Sequence, residues 1–287
     1  MSVEKVDGLS IAYEVIGDGE PWAITPGGRF SKDAPGVREL AESLAAGGKQ
    51  VLIWDRPNTG ASEVCFEGDS ESAMQADVLA GLLRTLGMAP AVIAGGSGGS
   101  RVSLLAAARH PDAARALALW WISGGPYGLL TLATHYCGDS IAAAWRDGME
   151  AVARLPDWTE VLARNPDNRA KLLAQEPKRF IATLEQWMLA YCPSSDELVP
   201  GLPDAAARVL DVPAFVFRSG ESDPHHTRAT SERVAELLPR AQLVEPPWGD
   251  REWNDRMEAA GDGVGIFSRW PLLADQLIEW SARLYRV

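Results

Sequence analysis

Through roughly the first 120 residues, short apolar runs alternate with amphipathic stretches. Residues 10–15 (SIAYEV), 22–25, 51–55 (VLIWD), 91–94 (AVIA) and 116–122 (ALALWWI) read as strands. Several of these are apolar without interruption, as expected where helices cover both faces of a sheet. Between them, Val37, Leu40 and Leu44 share one helical face stopped by Gly47-Gly48, and Met74, Val78, Leu82 and Leu86 share another stopped by Gly87. An alanine-rich helix follows AVIA and runs to His110-Pro111. Strand–helix alternation of this kind predicts an α/β fold with a mainly parallel central sheet flanked by helices.

The rhythm changes over residues 125–203, where no strand signal occurs and short helical segments follow one another. Asn165-Pro166 and Pro177 are helix-start signals, and Phe180, Leu184, Trp187 and Met188 form an apolar stripe. Strand and helix patterns then resume in residues 214–218 (AFVFR), 231–238 and 242–245. A last helix opens at Pro271, with Leu273, Leu277, Trp280 and Leu284 on one face. The chain is thus expected to be one core, residues 1–124 and 204–287, interrupted by an all-helical lid insertion, residues 125–203.

Composition narrows the function classes. With 39 acidic against 27 basic residues the net charge is −12, and no basic block offers a local exception, so no nucleic-acid partner is expected. No window is apolar enough for a membrane span, and the N-terminal MSVEKVDG lacks the apolar run of a signal peptide, so a cytoplasmic protein without a membrane partner is expected. The three cysteines, Cys65, Cys137 and Cys192, make neither a metal pattern nor a disulfide framework; isolated thiols, no metal and no cofactor follow. Nothing in the composition specifies an oligomeric state.

Gly95-Gly96-Ser97-Gly98-Gly99 matches G-x-S-x-G, a strand-to-helix turn that holds a serine in a strained backbone conformation with its oxygen exposed. Side chains flanking such a turn would clash, and the helix N-terminus behind it supplies N–H donors and positive dipole. An apolar strand before it and a long helix after it are the context the motif requires. Ser97 is therefore the candidate nucleophile.

The run from Ser97 through Ala106 to Arg109-His110-Pro111 resembles the nucleophile helix of α/β-hydrolases. Asp55-Arg56-Pro57-Asn58-Thr59-Gly60-Ala61-Ser62 resembles their D-x-x-G-x-G-x-S loop, with Asn58 in a place usually held by glycine. Pro26-Gly27-Gly28 is similar to their oxyanion turn, and Arg218-Ser219-Gly220-Glu221-Ser222-Asp223 to the loop whose aspartate orients the catalytic histidine. The resemblance spans nearly the whole chain except the insertion. It implies an oxyanion hole from the backbone N–H groups of Gly28 and Gly98, and Asp223 as the orienting acid.

One departure matters. The family's histidine should follow the last strand, where this chain reads Pro246-Pro247-Trp248-Gly249-Asp250, and none of the four histidines lies beyond His226. A serine nucleophile needs a base within hydrogen-bond reach. His110 ends the helix after the serine and points away, and His135 starts the insertion. His225 and His226 lie just beyond Asp223, on a loop that leaves the carboxyl end of a strand, where sites in open parallel sheets form. Position and elimination favour His226, then His225, with Asp223 or Asp250 as orienting partner. Arg29 is a candidate for an anionic substrate group or equally for a structural ion pair, and Trp121 and Trp187 for core positions or the walls of an apolar pocket. Arg101, one helical turn after Ser97, requires a carboxylate partner if buried. The expected activity is a cofactor-free serine hydrolase (esterase- or lactonase-like) of a small, largely apolar ester, lactone or related carbonyl compound. The alternative is a non-hydrolytic lyase or a small-molecule-binding protein on the same fold.

Overall fold

The computed structural model describes residues 1–192 and 194–284; Pro193 of the expected insertion and the last three positions of the expected core lie outside them. The apolar runs pair into an eight-stranded sheet formed by β1 (Ser2–Val6), β2 (Leu9–Ile16), β3 (Glu20–Thr25), β4 (Lys49–Trp54), β5 (Ala91–Ser97), β6 (Ala114–Ile122), β9 (Ala214–Phe217) and β10 (Ala241–Val244), in the order β1-β2-β4-β3-β5-β6-β9-β10. The β1–β2 and β2–β4 pairings are antiparallel and the others parallel.

The uninterrupted apolar strands have a direct cause. On β4, Leu52 enters one core with α2 (Glu71–Thr85) and α3 (Gly98–Arg109), while Val51 and Ile53 enter the other with α1 (Val37–Ala46) and α13 (Ala274–Leu284). On β5, Ile93 goes to the first and Val92 and Ala94 to the second. Both sheet faces are buried, so alternation with polar residues disappears. The edge strand β1 escapes the apolar signal because only Val6 of its five residues is buried. The last helical pattern divides into a 3₁₀ turn, Trp270–Leu273, and α13.

Between β6 and β9 the chain forms α4 (Pro126–Ala133), a π-helical turn (Thr134–Gly138), α5 (Asp139–Asp147), α6 (Met149–Val152), α7 (Pro156–Arg164), α8 (Asp167–Leu173) and α9 (Pro177–Leu189). This stretch is not wholly helical as its pattern suggested. β7 (Glu197–Val199) and β8 (Leu202–Pro203) pair with each other around Pro200-Gly201 and with no other strand; they are too short to leave an alternating signal. Helix α10 (Asp204–Ala207) returns the chain to the sheet, α11 (Arg228–Leu237) links β9 to β10, and α12 (Glu252–Gly261), whose charged sequence carries little apolar periodicity, follows β10. No helix among the described residues is long and apolar enough to cross a membrane.

The helical stretch is fastened to the loop after β4 by specific polar groups. The fully buried Asn168 side chain donates to the Ser62 carbonyl (2.9 Å) and accepts from the Val64 amide (3.0 Å), and Asn165 donates to the Ala61 carbonyl (3.1 Å). Trp187 donates to the Gly68 carbonyl (3.0 Å), and Phe66 packs edge-on against Phe180 with ring centres 5.0 Å apart. Replacing Asn168 with Ala strands a buried donor and a buried acceptor. The variant is expected to lose about 2–4 kcal/mol of stability, read as a lowered denaturant midpoint, whereas Asn165→Ala, at a partly exposed site, should lose clearly less.

Candidate active site

The β5–α3 turn holds Ser97 at φ 57°, ψ −126°, a left-handed conformation unfavourable for any side chain but forced here by the close passage of two elements. A β-carbon on Gly99 would sit 1.9 Å from the Thr25 carbonyl oxygen, so only glycine lets α3 start against β3. Opposite the turn, the β5–β6 register slips, and Trp121 takes φ 46° so that Ser97 pairs with Ile122. The slip re-aims a side chain, as bulges beside sites commonly do. The Trp121 indole lies stacked on the His226 imidazole, ring centres 6.3 Å apart.

His226 reaches the serine from the loop after β9. Its Nε2 is 2.9 Å from Ser97 Oγ, and its Nδ1 is 2.8 Å from Asp223 Oδ2. The other carboxylate oxygen of Asp223 accepts from the His225 and His226 amides at 2.9 and 3.0 Å. Those two bonds curl the loop around the aspartate and bring the imidazole three residues on back to the same carboxylate. Thr227 caps α11, its side chain accepting from the Thr230 amide.

Behind Asp223 stands Arg256 of α12, whose Nη2 donates to Oδ2 (3.0 Å) and whose guanidinium lies 3.8 Å from the Trp121 ring centre. Burial alone would raise the Asp223 carboxyl, but His226, Arg256 and the loop amides outweigh it and hold the group below its ordinary value. Glu252, next to Arg256 at 3.1 Å, lacks enough donors; burial pushes its carboxyl up to about 7 despite that cation, with Asp223 adding repulsion. Neither Arg256 nor Glu252 stood out in the sequence, since charged residues on a short polar helix ordinarily face solvent.

Gly28, at φ 56°, closes the other side. A β-carbon on Gly98 would lie 3.7 Å from the Gly28 amide nitrogen, and neither glycine's N–H donates to any group among the described residues. Two amides without a partner among the described residues therefore lie close together at the Ser97 turn.

The remaining candidates divide. His225 is half-buried between Tyr127 and Trp253, with ring centres 5.4 and 4.9 Å away, and its imidazole is lowered first by burial and then by His226. Three of the candidates are engaged elsewhere in the fold. Arg29 is bound to Glu71 and to the Tyr136 carbonyl, so its charge is already matched inside the protein. Asp250 is exposed and paired with Arg228, held outward because its backbone carbonyl accepts from the Ser222 amide. Trp187 is packed on Phe66 and bonded to Gly68, serving attachment of α9. His110 pairs with Asp77, and His135 is exposed. Buried Arg101 has no carboxylate partner, contrary to expectation; it donates to the Ser72 and Tyr191 hydroxyls. A cavity of about 390 Å³ between α4, β7 and α11 is lined by Ser123, Leu129, Val199, Thr227 and the charged Glu197 and Arg233, among others, and does not include Ser97. The tryptophans are committed to the cage around His226 and to the contacts of Phe66. No group of three or more His, Cys, Asp or Glu among the described residues could hold a metal ion.

The chain has the α/β-hydrolase fold. It is similar to a thermophilic esterase from Thermogutta terrifontis (18% identity, 99% of this chain and 100% of that one, TM-score 0.61) and to the enol-lactonase from Burkholderia xenovorans LB400 (22%, 91% and 97%, 0.57). A meta-cleavage product hydrolase from Pseudomonas fluorescens IP01 superposes comparably, with 17% identity over 99% of this chain and 98% of that one at a TM-score of 0.60. No family model and no curated protein matches the sequence.

Glu252 gives the site a measurable pH signature. Its carboxyl rises from 4.5 to about 7 on folding, so across that interval the folded protein keeps a proton that the unfolded chain releases. The associated stability is fully present below the lower value and lost as pH rises through the upper one. Thermal midpoints from pH 5 to 8 should decline less in Glu252→Gln than in the wild type; parallel curves would exclude a raised Glu252.

Proposed function

We propose that this chain is a serine hydrolase that cleaves a small ester, lactone or related carbonyl substrate through an acyl-enzyme, with Ser97 as nucleophile, His226 as general base and acid, and Asp223 as orienting carboxylate. The hydrogen-bond chain from Asp223 through His226 to Ser97, 2.8 and 2.9 Å, carries this reading. The hydrolases that share the fold, an esterase and a lactonase among them, support the class of reaction. The lyase or binding alternative rested on a missing histidine, and His226 removes that motive.

The steps follow from the geometry. With Nδ1–H donated to Asp223, the His226 Nε2 lone pair accepts the Ser97 proton as Oγ bonds to the substrate carbonyl carbon. The carbonyl oxygen becomes an oxyanion, stabilised by the N–H groups of Gly28 and Gly98. Collapse breaks the bond to the leaving oxygen, which takes the proton from His226. Water, deprotonated by the same nitrogen, then attacks the acyl carbonyl, and the acid product leaves as Oγ recovers its proton. Asp223 remains ionised throughout and balances the transient imidazolium, with Arg256 and the loop amides securing its charge.

Ser97 should label with a fluorophosphonate probe, and Ser97→Ala should neither label nor hydrolyse 4-nitrophenyl acetate. His226→Ala is expected to lose at least about a thousandfold in kcat, and Asp223→Asn, which favours the wrong imidazole tautomer, about ten-thousandfold. An undiminished rate in His226→Ala would remove it from the mechanism.

A further inference from the structure

Beside the Gly28 and Gly98 amides the protein buries more positive charge than it matches. Arg29, Arg56 and Arg101 are clustered there: burial pushes the Arg56 guanidinium down, Tyr136 and Glu71 offset part of that, and Arg29 and Arg101 add to it. One carboxylate, Glu71, is shared between Arg29 and the Asn58 side chain. Arg56, 3% exposed, donates only to the carbonyls of Gly27, Gly28 and Phe30, at 3.3, 2.8 and 3.3 Å. Arg101, also 3% exposed, donates to two neutral hydroxyls, Ser72 at 2.8 Å and Tyr191 at 2.9 Å, and its Nη1 is buried without a partner. Neither Arg56 nor Arg101 forms an ion pair with a carboxylate among the described residues.

Buried guanidinium groups without counter-ions are costly to maintain, and these two lie beside the nucleophile. A β-carbon placed on Gly98 would be 3.7 Å from three groups at once: Arg101 Nη2, the Tyr136 hydroxyl and the Gly28 amide. The Tyr136 hydroxyl makes no hydrogen bond to any group among the described residues. Arg101 Nη2, of the guanidinium whose Nη1 is unpartnered, thus lies with an unpaired hydroxyl beside the Gly28 and Gly98 backbone, and a guanidinium with a hydroxyl is a donor set that suits a carboxylate.

We propose that the substrate of this site carries a carboxylate close to its scissile carbonyl, and that Arg101 and the Tyr136 hydroxyl receive it. This rests on the serine hydrolase reading and replaces the largely apolar substrate expected from composition. The molecule's overall charge of −12 gives an anion no general attraction, so the local cluster must supply it. An acid-bearing substrate completes the charge balance that Glu71 leaves unfinished. Association should accordingly weaken with added salt.

The test compares mono-4-nitrophenyl succinate with 4-nitrophenyl butyrate, esters of equal acyl length with and without the carboxylate. Wild-type kcat/KM should favour the acid, and Arg101→Met and Tyr136→Phe should each reduce that preference by about tenfold to a hundredfold, mostly through KM. Should Arg101→Met fail to fold, Tyr136→Phe, which removes one oxygen, carries the comparison. A preference that is absent in the wild type, or unmoved in the variants because both esters lose equally, would overturn the proposal. A second measurement needs no turnover: calorimetric binding of methyl hydrogen succinate to Ser97→Ala should be saturable and weaken at least tenfold when Tyr136→Phe is added. Equal binding of dimethyl succinate, or none of either, would also overturn it. Loss of fluorophosphonate labelling in the wild type would instead count against the hydrolase reading alone, since the binding difference stands without a reactive serine.

Discussion

Asp223 is a carboxylate withdrawn from water, and the arrangement around Ser97 depends on keeping it charged. Four donors meet it: the His225 and His226 amides on one oxygen, the His226 imidazole and Arg256 on the other. Each bond fixes a different part of the molecule. The amides set the shape of the loop after β9, the imidazole points from there to Ser97, and Arg256 draws α12 over Trp121. An aspartate whose side chain accepts from amides two and three residues ahead is a common turn device; here the same carboxylate also holds the His226 imidazole.

This explains how the site dispenses with a histidine after the last strand. Where the resemblance places that residue, the chain has Trp248, which packs 5.6 Å from Trp121, and Asp250, which turns outward to Arg228. The aromatic groups Trp121, Trp248 and Trp253 and the guanidinium of Arg256 occupy the space behind His226. An acid and an imidazole three residues apart on one short loop need no second loop to be brought into register. The cost is that the loop must be held rigidly, and the slip in β6 that turns Trp121 against His226 is part of that hold.

The other constraint is charge on the opposite side of the serine. Asn58 takes φ 68°, which explains why glycine is usual at its place, and its amide is used to bind Glu71 and the Cys65 backbone. Glu71 in turn anchors Arg29. Glu71 is thereby committed to Arg29 and Asn58, and neither Arg56 nor Arg101 has a carboxylate ion-pair partner among the described residues. Arg56 also orders the turn that carries Gly28, so the same cations shape the amides and set the electrostatic character of the space before them.

Local chemistry made much of this legible in the sequence. Uninterrupted apolar runs meant strands buried on both faces, and the glycines around Ser97 meant a turn too crowded for side chains. The position of His225 and His226 after a strand end, with the other histidines eliminated, made them the candidates for the base. Other features were silent because no local pattern encodes them. β1 buries a single residue, β7 and β8 are too short to alternate, and α12 is polar until its Arg256 and Glu252 are covered. Arg29, Asp250 and Trp187 stayed ambiguous because an arginine, aspartate or tryptophan looks alike whether it faces ligand, solvent or neighbour. Only the folded chain decided that Glu71 would satisfy Arg29 and leave Arg101 without a carboxylate. Burial and pairing are properties of residues far apart in sequence, and the energy of a charge is settled by what surrounds it rather than by its neighbours along the chain.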